Sequence, residues 1–154
     1  MNLILWRHAE AEDGLPDLDR KLTPRGRKQA QAMARWLVDR LPERYLVVSS
    51  PAKRARQTAD ALECVYRVDE ALRPDVDVAH YLGACEWPTG PVEAGGTVVL
   101  VGHQPILGRV ASLLLAGREL DWSVRKGAVW WLSARDREAR QQTVLRTVFG
   151  PEQL

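Results

Sequence analysis

Apolar residues fall along this chain in short blocks separated by polar, Gly- and Pro-containing stretches. Residues 2–6, NLILW, form a compact apolar run, the mark of a strand buried on both faces. Residues 10–21, EAEDGLPDLDRK, carry Gly, Pro and repeated Asp and read as a loop. Behind that loop Thr23 stands as an N-cap, and Pro24 occupies the first helical position, where its missing N–H costs nothing. Ala30, Met33, Ala34, Leu37 and Leu41 then recur at threes and fours, which predicts an amphipathic helix ended by Pro42. Gly26 sits near its start, where it is tolerated more cheaply than in mid-helix.

YLVVSS, residues 45–50, reads as a second strand, Ser50 and Pro51 open a helix over 52–63, and a short third strand is expected over 64–68. PDVDVAHYLGAC, residues 74–85, fits a helix or a loop, and 86–96 is a connection. TVVLVG, residues 97–102, is the strongest strand, and Pro105 starts a helix that runs to Leu115. GAVWWLSA and TVLRTVFG flank a charged stretch, ARDREARQQ, and predict an antiparallel hairpin. Strand and helix alternate throughout. The expected class is therefore α/β, a three-layer sandwich with a mostly parallel central sheet and an antiparallel edge hairpin near the C-terminus. Its 154 residues, without a repeat or a linker, fit a single domain over 1–154.

Composition narrows the partners. The 22 basic residues face 20 acidic ones, a formal net charge of +2, too small to call for nucleic acid. No apolar run approaches the roughly 20 residues needed to span a bilayer, and MNLILWRHAEAED does not read as a secretory signal, so no membrane association is expected. Cys64 and Cys85 read as free thiols in a reducing cytoplasm. With three histidines and neither CxxC nor HExxH, no metal site or other cofactor is expected. No heptad calls for assembly, so a monomer is expected.

Three predicted strands end in polar groups of one kind. The first runs into Arg7-His8, the second into SSPAKRAR with Ser50, Arg54 and Arg56, and the strongest into GHQP with His103. In open α/β sheets ligands bind beyond the carboxyl ends of the strands. The last two turns also lead straight into helices, whose N-termini favour anions. Imidazoles and guanidiniums gathered there suit phosphate, which arginine grips bidentately. An imidazole among guanidiniums should stay neutral at neutral pH, its pKa held below the usual ~6.5. His8 can then attack phosphorus while His103 hydrogen-bonds the phosphoryl oxygens.

RHAE, SSPAKRARQTA and VGHQP together resemble the histidine phosphatase (phosphoglycerate mutase-like) superfamily. DLDRKLTPRG and KGAVWWL look like its small SixA-type branch of phosphohistidine phosphatases. The resemblance implies Arg7, His8, Arg54 and His103 as the catalytic and phosphate-binding set, with His8 the phosphoryl acceptor; Arg56 falls at a variable position. Larger relatives resemble R-H-G-E followed by a hydroxyl residue, where this chain has Ala9 and Ala11, and they insert an acidic proton donor before the second histidine. Here that interval is short, and Glu86 is the nearest candidate. A positioned acid is worth about 10²–10⁴-fold for an alkoxide leaving group. Imidazole leaves more readily, so a site without that acid suits a P–N bond.

The leading expectation is thus metal-independent removal of phosphate from phosphohistidine on a protein, such as a phosphotransfer domain, through phospho-His8. A phosphatase of a small phosphomonoester or phosphoramidate keeps the same chemistry; a non-catalytic phosphate-binding module keeps only the pocket. Glu10 and Glu12 could tune His8, and Asp17 and Asp19 could rim the opening, or all four could be solvated loop carboxylates. The six tryptophans read mostly as core or half-buried residues.

Overall fold

The computed structural model describes residues 1–154. Six strands form one sheet: β1 (Asn2–Arg7), β2 (Leu46–Ser49), β3 (Arg67–Val68), β4 (Thr97–Gly102), β5 (Val129–Arg137) and β6 (Arg140–Phe149). Their order is β3-β2-β4-β1-β5-β6. The first four strands in that order run parallel, and β5 and β6 close the opposite edge antiparallel. The α/β sandwich with its antiparallel edge hairpin is the architecture expected from the strand–helix alternation.

Period-two geometry explains why successive middle positions of the central strands are all apolar. Leu3 and Leu5 of β1, with Val98 and Leu100 of β4, face one core; Ile4, Trp6, Val99 and Val101 face the other. The first core is covered by α3 (Val78–Cys85) and α4 (Ile106–Ala116), the second by α1 (Pro24–Val38) and α2 (Lys53–Asp60). Each fully buried Leu or Ile contributes about 1.5–3 kcal/mol.

The boundaries show where local pattern gives way. Helix α1 stops at Val38, a turn before Pro42, and Leu41 instead packs its side chain on the second core. Strand β3 is only two residues long, because it is an exposed edge whose pairing is confined to Val48 and Ser49. Residues 78–85 are helical, with the Asp77 side chain accepting from the His80 N–H. ARDREARQQ is not a linker: its residues extend both hairpin strands, which turn at Glu138 and Ala139 with φ of 52° and 60°. That turn puts two non-glycine residues in left-handed backbone, a geometry that hairpins favour and that Asn or Gly more often supply. Cys64 and Cys85 are free, and the tryptophans are buried or half-buried. No helix is long and apolar enough to cross a membrane.

Candidate active site

The sheet register brings the three motif loops together. Arg7 pairs with Gly102 and Ser49 with Val101, so His8, His103 and Ser50 each follow the last residue of neighbouring strands. The His8 N–H donates to the Gly102 carbonyl at 3.2 Å, and the Ser50 N–H to the Val101 carbonyl at 3.0 Å. Arg54 enters from the first turn of α2. Arg7, His8, Arg54 and His103 line one cavity of about 180 Å³, joined on its walls by Asp13, Arg20, Gln104 and Lys126.

His8 is buried, and its Nδ1 lies 2.8 Å from the Ala9 carbonyl. A carbonyl can only accept, so Nδ1 carries the proton and Nε2 keeps its lone pair. Arg54 Nε donates to that Nε2 at 3.3 Å. The Ala9 N–H in turn donates to Thr58 Oγ1 at 3.1 Å, and Thr58 donates to the Arg54 carbonyl at 2.8 Å. The QTA that follows Arg56 is therefore a strut: Thr58 holds the backbone behind His8, and Gln57 accepts from the Leu22 N–H. Burial first, and then the Arg54, Arg7 and Arg20 charges, push the His8 pKa down to about 3, against the bond to Ala9. The direction matches the expectation from the sequence, but desolvation leads and the guanidiniums follow.

His103 lies beside it, the two ring centroids 5.2 Å apart. Its Nε2 is 2.7 Å from Ser50 Oγ and its Nδ1 is 3.4 Å from Arg54 Nη2. A guanidinium only donates, so in this arrangement Nδ1 is the acceptor and Nε2–H points to Ser50. Burial, then His8 and Arg54, lower its pKa to about 2. Its backbone N–H donates to the Tyr81 hydroxyl at 3.0 Å, and that hydroxyl donates to the Leu72 carbonyl. A side chain at Gly102 would collide with the Tyr81 ring, so this glycine lets the tyrosine reach the strand end. Periodicity alone gave no sign of Tyr81, which lies in the ambiguous 74–85 segment.

Arg54 is 3% exposed and is gripped from the loop side. Its Nη1 donates to the Asp17 carbonyl at 2.7 Å and its Nη2 to Asp17 Oδ2 at 3.1 Å. Arg20 Nε holds the other carboxylate oxygen at 3.0 Å. Burial would raise the Asp17 pKa, but Arg54 and Arg20 hold it below the ordinary carboxylate range. Asp17 is not part of the cavity wall; it bears on the site only through its hold on Arg54.

The remaining candidates fall elsewhere. Glu10 is built into the start of α1: its carboxylate accepts from the Thr23 hydroxyl at 2.9 Å, and its carbonyl accepts from the Thr23 N–H. Glu12 uses only its backbone, Asp19 is exposed, and Arg56 bonds the Pro51 carbonyl at the surface. Glu86 caps the far end of α3 and takes no part in the cavity wall. No group of three or more His, Cys, Asp or Glu side chains is placed to hold a metal ion.

The model for the histidine phosphatase superfamily (branch 1) matches residues 3–78, and an uncharacterized Mycobacterium tuberculosis protein is 46% identical over 116 residues, 70% of this chain and 68% of that one. This chain belongs to the histidine phosphatase superfamily. Within the superfamily its likeness runs to the SixA-type branch. Phosphohistidine phosphatase SixA of Escherichia coli is 29% identical over 124 residues, 76% of each chain. A structure from Nakamurella multipartitia assigned to phosphohistidine phosphatase SixA superposes with a TM-score of 0.80 at 30% identity, covering 97% of this chain and 95% of that one. The histidine phosphatase fold is equally plain against the tungstate complex of SixA, with a TM-score of 0.82 at 24% identity and 99% of both chains covered.

Proposed function

We propose that this protein hydrolyses phosphohistidine on a protein through a covalent phospho-His8 intermediate. One observation carries the reading: His8 presents an unprotonated Nε2 into a small cavity that Arg7, Arg54 and His103 also line. The lone pair of Nε2 attacks phosphorus as the P–N bond to the substrate histidine breaks, and the leaving ring keeps the electron pair as neutral imidazole when its other nitrogen carries a proton. Arg7 and Arg54 take the charge on the phosphoryl oxygens. His103 joins them once its proton turns from Ser50 toward the anion. Water then attacks phospho-His8 and releases orthophosphate, restoring Nε2. The kinship with SixA proteins, one of them described with bound tungstate, a tetrahedral oxyanion, supports the substrate and the pocket alike.

Asp13, the one carboxyl on the cavity wall, favours a second reading, a small phosphomonoester, since an alkoxide leaving group gains from a positioned acid. Parallel assays separate the two. A phosphocarrier protein phosphorylated on histidine should exceed a panel of sugar phosphates in kcat/KM by orders of magnitude, with chelator present, and His8→Ala should abolish its turnover. Sugar phosphates ahead by a similar margin would transfer the function to the ester; wild-type turnover by His8→Ala would end the His8 mechanism.

A further inference from the structure

A second cavity, of about 450 Å³, adjoins the first and shares Arg7 and Lys126 with it. Its walls carry Arg25, Arg125, Lys126 and Arg7 against one acid, Glu152, which sits 3.7 Å from Arg125. Arg25 lies in the first turn of α1, a turn with no acidic residue, although the positive end of a helix dipole disfavours cations there. Arg25 makes no ion pair, and the one carboxylate at the start of the helix, Glu10, is bonded to the Thr23 hydroxyl. Arg7, at the junction of the two cavities, also keeps a buried Nε without a hydrogen-bond partner.

We infer that this basic groove is a recognition subsite for carboxylates on the acidic surface of the phosphoprotein substrate, read beside the phosphoryl pocket. The inference rests on the protein-phosphohistidine reading. The long side chains are splayed over an open cleft, Arg125 with 75% of its side chain exposed, rather than folded into a cradle. Such a rim suits carboxylates fixed on a rigid partner face, and steers that partner in through long-range attraction. A small dianion would need a closed grip.

The double variant Arg25→Ala/Arg125→Ala tests it, since both residues are exposed and line only the outer cavity. Substrates are an acidic phosphocarrier protein phosphorylated on histidine and free phosphohistidine. The variant should lose on the order of tenfold in kcat/KM on the protein, mainly through KM, with a flatter salt dependence. Turnover of free phosphohistidine should stay within about twofold. Equal losses on both substrates would place these arginines in the phosphoryl chemistry, and no loss on either would leave the groove without a role; each overturns the subsite while the phosphohistidine reading stands. A wild type active on free phosphohistidine but not on the protein overturns the protein-substrate reading and the subsite with it.

Discussion

A carboxylate clamped on the arginine proposed to grip phosphate has two opposing effects. Asp17 holds Arg54 flat against His8, and it also occupies donors that an incoming phosphoryl group wants. The backbone carbonyl of Asp17 decides between them. It takes Arg54 Nη1 at 2.7 Å, so much of the positioning survives loss of the side chain. Asp17→Ala is therefore expected to tighten inhibition by orthophosphate by about three- to tenfold, because a competing anion is removed from a charge-assisted site. Inhibition constants measured for both proteins at one ionic strength check this, and weaker inhibition would mean that the carboxylate chiefly positions Arg54. The side chains of the site were legible in the sequence as types and positions. His8, Arg54 and His103 announce themselves at strand ends, whereas the acceptor that sets the His8 tautomer is the carbonyl of Ala9, which a side-chain reading cannot see.

At the scale of elements, the turn from β1 into α1 is the joint on which the site depends. Gly26 packs so closely on the Glu10 backbone that a Cβ would overlap the carbonyl oxygen. Helix propensity alone says that Gly26→Ala stabilises by about 1 kcal/mol. Packing says the reverse, and overpacking against backbone is expected to win, for a net loss of about 2 kcal/mol or more. Chemical denaturation of the variant gives the sign directly; a stabilised Gly26→Ala would refute the close approach. The glycine was visible in TPRG, but its reason was not, since the contact is with a residue sixteen positions earlier. The hairpin failed to show its full length for a related cause. Its charged outer residues alternate on an exposed edge, so hydrophobic pattern carries no signal there, and pairing alone extends the strands. The central strands are the opposite case. Burial on both faces makes their middle positions apolar, and that they are central strands was readable from that alone, whereas their order in the sheet was not.

For the molecule as a whole, two buried neutral histidines link stability to pH. The folded pKa values of His8 and His103 lie near 3 and 2, below the ~6.5 of an unfolded chain. Between those values the unfolded state binds the additional protons, so unfolding free energy rises with pH. The contribution is complete well above pH 6.5 and is lost progressively as the pH falls toward 3, by up to about 1.4 kcal/mol per pH unit for each histidine. Urea midpoints should accordingly drop between pH 7.5 and 5, and the double variant His8→Gln/His103→Gln should drop less. Equal slopes in the two proteins would mean that these rings titrate normally in the fold.

The same neutrality is what the proposed attack by His8 requires, and trapping its phosphorylated form is the most direct test. Wild-type protein mixed with a histidine-phosphorylated phosphocarrier, quenched in alkali within the first turnover and mapped by peptide mass spectrometry, should carry an acid-labile phosphate on His8 and on no other residue, and His8→Ala should carry none. Steady turnover with no phosphoenzyme at any quench time, or phosphate mapped to another side chain, would contradict the account.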